Sequence, residues 1–319
     1  MSSLARRAFL RGAAAGLTLY AAARMSPLQA ASGDPQIGLQ LFPLDQALRA
    51  DLPGMLAQIR AIGFTEVEMF YFYGRSPQAL RRALEAADLR CRSVHVRPQA
   101  LTPGMLSLAA EPEELLSQAR DLGVRYLVCP GPWVPPAIRA SVSSLRGPAA
   151  PAAAAERMTV DDWRWSAQRV SELAHRARTY GLDLLYHNGN FEFVRLKGTQ
   201  GTGYDELLRA FSPEVGLELD CGWVQAAGYD PVHYVTTERR RLKLAHIKDM
   251  TATAPNHAMH INSIEAGRGV VDWPRLLGAL REAHVGVAYL EQEAPFVRPP
   301  LESARESRAY LERVLARLA

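Results

Sequence analysis

The stretch LLYHNGNFEF, residues 184–193, begins like a buried β-strand and then breaks into polar residues. Three apolar residues suit a strand interior, but His187 and Asn188 place an imidazole and an amide where the apolar run stops. Such groups cost free energy at that depth unless they bond to a partner. We therefore predict that the end of this strand belongs to a binding site.

Seven other short apolar runs lie between Asp34 and the C-terminus. Segments that carry apolar residues at helical spacing separate these runs. The eight strand candidates are QIGLQLF, EVEMFYF, CRSVHVR, RYLVCPG, LDLLYHN, VGLELD, LKLAHIK and VAYLEQE. Helical segments such as DLPGMLAQIRAIG and DWPRLLGALREAHVG end in glycines, Gly63 and Gly286, that suit a left-handed C-cap. Eight strands alternating with helices over about 285 residues predict an α/β fold, a single-domain (β/α)8 TIM barrel spanning residues 34–319.

A doubly wound parallel sheet is the alternative fold. Its usual signature is absent from the sequence, because no glycine-rich phosphate loop follows the first strand. The Ala/Pro-rich stretch RGPAAPAAAAERM, residues 146–158, falls between the fourth strand and the helix that follows it. We interpret this stretch as a loop insertion in one domain and not as a domain boundary.

Residues 1–31 predict an export signal. RRAFLR resembles the twin-arginine motif of bacteria, and a weakly apolar run from Gly12 to Ala23 leads into small residues that suit cleavage. That run is shorter than the roughly 20 residues that a bilayer span needs. We therefore expect a periplasmic protein that has no stable membrane insertion after the leader is removed.

The net charge of +4 is a property of the leader. Four of the 37 basic residues precede the first acid, Asp34, and the remaining 33 balance the 33 acidic residues. A neutral remainder has no electrostatic footprint for nucleic acid, so we expect no nucleic-acid partner. Assembly into a homo-oligomer stays open.

Polar residues end most of the predicted strands. They are Glu68 on the second, His95 on the third, His187 and Asn188 on the fifth, Asp220 on the sixth, His246 on the seventh and Glu291 on the eighth. The C-terminal ends of barrel strands converge on one site. Strands five to eight thus offer His187, Asp220, His246 and Glu291, a donor set that suits one divalent ion, with Mn²⁺ first and Zn²⁺, Co²⁺ or Mg²⁺ as alternatives.

Five motifs in this order resemble the xylose isomerase-like TIM barrels, the superfamily of sugar phosphate isomerases and epimerases. The motifs are YHNGNFEF, LELDCGWVQAAGYDPV, AHIKDM, GRGVVDW and YLEQE. The resemblance runs from about Ile37 to the C-terminus and is strongest in the second half. It implies one divalent ion held by groups from strands five to eight, which in this sequence are the four residues named above.

The sequence departs from the family pattern at the fifth strand. Relatives with this motif usually read His-Asn-His-Asp-Phe-Glu, whereas Gly189 and Asn190 replace the second His and the Asp here. The ketose epimerases carry Glu at the position of His187 and use it as one of two acid/base carboxylates. That symmetric mechanism cannot be assumed here, and inosose dehydratase-like members also carry His at this position.

The predicted chemistry is proton abstraction next to a metal-bound carbonyl of a sugar. Glu291 is the first candidate for the base, and Glu68 and Lys248 are the candidates for the opposite face. The remaining predicted site residues would bind substrate: His95, Trp133, Trp223, Asn188 and Arg268. The tryptophans would stack on a sugar ring, whereas Arg268 would either bind a substrate oxygen or cap its loop.

Several functions remain open from the sequence. Proton return gives an isomerase or epimerase, whereas loss of a β-substituent gives a lyase or dehydratase acting on a keto-sugar or 3-keto-glycoside. A non-catalytic periplasmic sugar-binding barrel is the alternative of another class. An endonuclease that uses three zinc ions would need more metal ligands than the sequence offers. It would also need a basic groove, which the neutral charge does not predict. For the isomerase or epimerase, the lyase or dehydratase and the sugar-binding barrel alike, the expected partner is a small sugar or glycoside.

Overall fold

Eight parallel strands close into a barrel. The computed structural model describes residues 33–101, 105–145, 147, 149–252, 254–260 and 262–318, so the predicted export signal lies outside the described residues. The strands are β1 (Gln36–Gln40), β2 (Glu66–Phe70), β3 (Arg90–His95), β4 (Tyr126–Pro130), β5 (Asp183–His187), β6 (Gly216–Asp220), β7 (Leu242–Ile247) and β8 (Val287–Leu290). Each strand pairs with its sequence neighbours, and β8 pairs with β1. The predicted (β/α)8 fold is confirmed: seven of the eight predicted runs contain one barrel strand each, and the eighth, CRSVHVR, covers all of β3 except Arg90.

Helices follow the strands along the chain. They are α1 (Asp45–Ala50), α2 (Leu52–Ile62), α3 (Pro77–Ala86), α4 (Pro112–Leu122), α5 (Pro136–Ser141), α6 (Ala149–Ala155), α7 (Val160–Thr179), α8 (Gly203–Ala210), α9 (Cys221–Ala226), α10 (Pro231–Thr237), α11 (Trp273–Glu282) and α12 (Pro300–Leu318). Two 3₁₀ turns (Phe42–Leu44 and Phe191–Phe193) and an antiparallel ribbon (Asp249–Met250 with Ser263–Ile264) complete the described elements. None of the described helices has the length and apolar character needed to cross a bilayer.

The barrel interior changes from apolar to polar toward the C-terminal ends of the strands. Its apolar layer consists of Tyr126, Val128, Leu185, Leu244, Val287 and Tyr289. Side chains two positions apart on a strand face the same side. His187 therefore follows Leu185 into the interior, and His246 and Glu291 likewise follow Leu244 and Tyr289. Strand periodicity thus stacks the polar layer on an apolar floor.

The predicted loop insertion at residues 146–158 was wrong in part, because α6 occupies Ala149–Ala155. Six of its seven residues are alanine, which has the highest helix propensity, and the seventh is a proline. Pro151 lies in the first turn, where a missing N–H is tolerated. The segment does lie between β4 and α7, as predicted.

The prediction that Gly286 caps α11 was also wrong. This helix ends at Glu282, and His284 rather than the glycine adopts the left-handed conformation, with φ of 57°. Histidine is one of the non-glycine residues that tolerate this region. Gly63, by contrast, caps α2 with φ of 109°, as predicted.

Buried Asp249 holds the segment that precedes α11. Its carboxylate accepts hydrogen bonds from the backbone N–H groups of Gly267 (2.8 Å), Gly269 (3.1 Å) and Val271 (3.2 Å). It also accepts one from Trp273 Nε1 at 3.0 Å. A Cβ on Gly269 would lie 2.2 Å from Asp249 Oδ1, so only glycine lets the backbone approach this closely. The GRGVVDW motif is therefore folded around one carboxylate.

Asp249→Ala is expected to lower the free energy of unfolding by about 2 kcal/mol or more, because several buried donors would lose their acceptor at once. Thermal unfolding followed by circular dichroism measures the loss. The control is Asp161→Ala, since that side chain is 93% exposed. An Asp249→Ala variant as stable as this control would contradict the role given to the carboxylate.

Candidate metal centre

The four predicted metal ligands meet at the mouth of the barrel. His187 Nε2 lies 3.7 Å from Asp220 Oδ2, and His246 Nδ1 lies 3.8 Å from the same oxygen. Glu291 Oε2 completes the group at 3.3 Å from His246 Nδ1. The imidazoles are not more than 8% exposed, and neither carboxylate exceeds that fraction. The ligand atoms of Asp220, His246 and Glu291 all lie within 4.8 Å of one another, and His187 adjoins this group through Asp220.

The donor set fits a divalent cation. Asp220 Oδ2 is buried without a hydrogen bond of acceptable geometry from the described residues, although Lys248 Nζ lies 3.0 Å away. A buried carboxylate oxygen in this state requires a further partner. Two imidazole nitrogens and two carboxylate oxygens around it are ligands that Zn²⁺ and Mn²⁺ accept. The orphaned oxygen is the observation that supports a metal ion at this place.

Two deeper carboxylates orient the histidines. Glu218 Oε2 lies 3.0 Å from His187 Nδ1, so the other ring nitrogen, Nε2, faces Asp220. Glu68 Oε2 lies 2.5 Å from His246 Nε2, which leaves Nδ1 of that ring for the Asp220 side. Metal-binding histidines commonly donate their second N–H to a carboxylate in this way. The deeper carboxylates thus select which nitrogen each histidine offers.

His95, His187, Glu218 and His246 form a second group whose ligand atoms lie close together. Its contacts have hydrogen-bond lengths: Glu218 Oε2 lies 2.7 Å from His95 Nε2 and 3.0 Å from His187 Nδ1. We interpret this group as the hydrogen-bonded support of the first. Period-two alternation in the sequence places Glu218 with Asp220 on the inner side of β6, but nothing in the sequence assigned Glu218 a role at the site.

The electrostatic surroundings keep His187 neutral. Burial, reinforced by the neighbouring His246 and His95 rings, holds the pKa of His187 well below its usual value. A neutral imidazole has a free lone pair on one nitrogen, which is the form that binds a metal ion. This environment agrees with the ligand role predicted for the residue.

Lys248 lies at the edge of the group and contacts three carboxylates. Its Nζ is 2.7 Å from Glu291 Oε2, 2.6 Å from Glu293 Oε1 and 3.0 Å from Asp220 Oδ2. Burial alone would lower the pKa of Lys248, but these carboxylates outweigh it and raise the pKa well above its usual value. The ammonium therefore keeps its proton at neutral pH. The prediction that Lys248 is a base does not fit; it can donate a proton or stabilise an oxyanion.

Glu293 is a carboxylate that sequence reasoning missed. It follows Glu291 by two residues and its side chain is 23% exposed, more than that of Glu291 at 9%. Burial raises the pKa of Glu293, whereas contact with Lys248 and His246 lowers the pKa of Glu291 despite burial. A carboxylate with a raised pKa is the better proton acceptor. The YLEQE motif could have revealed it, since alternation places both glutamates on one side.

Glu68, which the sequence predicted as an acid or base, is fully buried and engaged with several side chains. Its Oε2 contacts Gln40 Nε2 at 2.7 Å in addition to His246, and its Oε1 accepts a hydrogen bond from Ser93. His95 also lies 2.9 Å from Oε2. Burial would raise the pKa of Glu68, but the two histidines hold it well below its usual value. The carboxylate is a support for the imidazoles above it.

The side chains of His95 and Asn188 also form hydrogen bonds with other residues of the protein. His95 Nε2 is held between Glu218 and Glu68, so only its Nδ1 remains for a substrate hydroxyl. The amide of Asn188 bonds to both backbone groups of Asp220, at 3.0 Å to its N–H and 3.3 Å to its carbonyl. Asn188 is fully buried. The side chain that the sequence assigned to substrate binding therefore joins the ends of β5 and β6.

The other three predicted substrate contacts differ in position. Trp133 packs in the main hydrophobic core and is 7% exposed, so it is a core aromatic and not a free stacking surface. Trp223 lies beside the site, with its ring 5.1 Å from Lys248 Nζ. Arg268 is half exposed and forms an ion pair with Glu306 of α12, apart from the contacts that build the site. Only Trp223 lies among the site residues.

The two departures at β5 have a structural explanation. A Cβ on Gly189 would lie 2.6 Å from Phe191 Cε1, so a larger side chain would require that ring to move. Asn190 is buried and bonds to the segment 254–260: its Nδ2 donates to the Asn256 carbonyl at 3.0 Å, and its Oδ1 accepts from Met259 N at 3.0 Å. These positions therefore serve packing and loop attachment in this chain.

Comparisons with known proteins agree with the geometry. The family model described as Xylose isomerase-like TIM barrel matches residues 56–314. The Rhizopine catabolism protein MocC of Rhizobium meliloti is 24% identical over 285 residues, which cover 82% of this chain and 81% of that protein. An inosose dehydratase of Lacticaseibacillus casei is 27% identical over 169 residues, which cover 48% of this chain and 55% of the relative.

Solved structures show the same fold. A sugar phosphate isomerase/epimerase from Parabacteroides distasonis has a TM-score of 0.66 at 24% identity and covers 88% of this chain and 94% of its own. The IOLI protein, solved with a bound zinc atom, has a TM-score of 0.63 at 15% identity and covers 89% of this chain and 99% of its own. At these identities the likeness extends to the fold alone.

Proposed function

Because the chain belongs to the xylose isomerase-like TIM barrel family, we propose that it is a divalent-metal-dependent isomerase or epimerase of a sugar or keto-sugar. The observation that carries the proposal is the buried group of His187, Asp220, His246 and Glu291, in which Asp220 Oδ2 accepts no hydrogen bond from the described residues and has only an ion-pair contact with Lys248. Family members act as isomerases, epimerases and dehydratases, as the names of the relatives indicate.

The ion would be held by these four side chains, with Mn²⁺ as our first choice. Zinc in the structurally similar IOLI protein supports a divalent ion of this kind. Such an ion supplies positive charge that stabilises the enolate oxygen as the neighbouring C–H bond is broken. Glu218 and Glu68 fix the ring orientation of the two histidines, so the site is assembled before substrate arrives.

Proton transfer falls to the carboxylates around Lys248. Glu291 is the base that we propose first, because it belongs to the donor set and would lie next to the bound carbonyl. Glu293 is the alternative, since its raised pKa and greater exposure favour proton uptake. Lys248, which keeps its proton between them, would stabilise the developing oxyanion or return a proton. Trp223 shields the ammonium on one side.

Elimination is the second candidate reaction. It would use the same enolate but release a β-hydroxyl or glycosidic oxygen from a keto-sugar or 3-keto-glycoside, with the protonated Lys248 as a donor to the leaving oxygen. The match to an inosose dehydratase favours it. A protein that binds sugar without catalysis is the candidate of another class. Export to the periplasm stays part of our proposal.

The metal-loaded protein is expected to exchange carbon-bound protons of a ketose or 3-keto-glycoside for deuterium in D₂O, because enolate formation exposes the carbon to solvent protons. Nuclear magnetic resonance distinguishes exchange, isomer formation and elimination. Dialysis against EDTA is expected to lower the exchange rate by at least about 1,000-fold, and addition of Mn²⁺ should restore it. Sugar binding that survives EDTA without exchange in any substrate would identify a binding protein instead.

A further inference from the structure

A rim of aromatic and cationic side chains lies above the β1–β3 side of the polar layer. Phe70 ends β2 and lies on the same side of that strand as Glu68, while Phe42 and Arg97 follow the ends of β1 and β3 by two residues. The Phe42 and Phe70 rings meet edge to face at 4.8 Å, and the Phe70 and His95 ring centroids are 6.5 Å apart. The rim thus leads from the surface to the site.

Within the part of the chain that the structure describes, the guanidinium of Arg97 has no anionic partner. Its Cζ lies 5.4 Å from the Phe70 ring centroid, and among the residues that the structure describes it forms neither an ion pair nor a side-chain hydrogen bond. The residues that the structure does not describe include no Asp or Glu. Arg92, at the other end of β3, is by contrast paired with Glu66.

Arg97 is held in place despite this missing partner. Its backbone N–H donates to Tyr71 Oη at 3.3 Å, and its carbonyl accepts from Leu108 N at 3.0 Å. Burial lowers the pKa of Arg97, which reflects the removal of water from the guanidinium. A fixed, partly desolvated guanidinium has lost hydration that no protein group replaces. Such a group binds a planar or tetrahedral oxyanion strongly, because its fork of N–H donors can engage two oxygens.

We propose that Arg97 binds an anionic oxygen group of the substrate, a carboxylate or a phosphate ester, at the β3 side of the barrel mouth. This inference rests on the proposed function, since it assigns the substrate of that site to the acidic sugars. The anion lies on the side of Phe70, away from the carboxylates that surround Lys248. The sugar ring between the two ends would pack along Phe70 and Phe42.

The test measures binding of three probes by isothermal titration calorimetry: D-glucose, D-glucuronate and D-glucose 6-phosphate. With metal-loaded protein, at least one anionic probe is expected to bind about tenfold or more tightly than glucose. Arg97→Gln is expected to remove this preference and leave glucose affinity unchanged. Arg97→Lys should retain part of it, because it keeps the charge without the fork. Which of the two anions is preferred identifies the source of the oxyanion.

A matched control variant isolates the effect. Arg49→Gln removes an exposed arginine that pairs with Asp45, and it should preserve the preference for the anion. The titrations do not depend on turnover, so they remain decisive even if deuterium exchange fails and the proposed reaction is wrong. Equal affinity for all three probes, or an unchanged preference in Arg97→Gln, would overturn the inference.

Discussion

Glu291→Gln is expected to lower kcat for the proposed reaction by at least about 1,000-fold, the upper part of the range for loss of an acid/base group. The carboxylate contacts His246 Nδ1 at 3.3 Å and Lys248 Nζ at 2.7 Å, so it belongs both to the donor set and to the proton-transfer group. Glutamine has nearly the same shape but cannot accept the proton and is a weaker metal ligand. Steady-state kinetics and the metal content by elemental analysis measure the two losses separately.

The matched variants are Glu293→Gln and Glu302→Gln. If Glu291 is the base, Glu293→Gln should keep the metal and most of the rate; if Glu293 is the base, its variant should keep the metal and lose the rate. Glu302 is exposed on α12 and its variant should behave as the native protein. Native kcat in Glu291→Gln would remove this residue from the mechanism.

Glu218→Ala is expected to weaken metal binding by about 100-fold, the larger end of the effect of removing a carboxylate behind a ligating histidine. Glu218 Oε2 bonds to His187 at 3.0 Å and to His95 at 2.7 Å, so its loss frees two imidazoles to rotate or to change tautomer. Competition with a chelator of known affinity measures the dissociation constant. The absorption spectrum of the Co²⁺-loaded protein reports the ligand geometry independently of activity.

Glu218→Gln provides the rescue, because its side-chain carbonyl can still accept from His187 Nδ1. It should recover a substantial part of the affinity and the native Co²⁺ spectrum. Thermal unfolding without metal must be compared for both variants, since the residue is fully buried. Native affinity in a folded Glu218→Ala protein would show that the histidines need no support from β6.

The strands could be predicted because their signal is local. Each barrel strand is a short apolar run bounded by helix caps and polar residues, and period-two alternation within it identifies the inward positions. The α6 helix was not predicted because the prolines in this stretch suggested a loop. The helix propensity of its alanines determined the structure instead. Gly286 was misjudged because His284 adopts the left-handed conformation nearer the end of its helix.

The site was less predictable because its contacts join strands that are distant in the chain. Periodicity placed His187, Asp220, His246 and Glu291 at one end of the barrel, and the structure brings them together. It could not show that Glu218 reaches His95 across the interior, since that depends on the relative heights of β3 and β6. Nor could periodicity show that the side-chain amide of Asn188 forms hydrogen bonds with backbone groups at the end of β6.

The attachment of segment 254–260 to Asn190 has a kinetic consequence. Met259 of that segment packs against Trp223, whose ring covers Lys248, while its N–H is donated to Asn190 Oδ1. We expect that a substrate entering past Trp223 requires release of this segment from Asn190. Hydrogen exchange at the Met259 amide then records how often the entrance is open, and its protection sets a ceiling on the frequency of productive encounters.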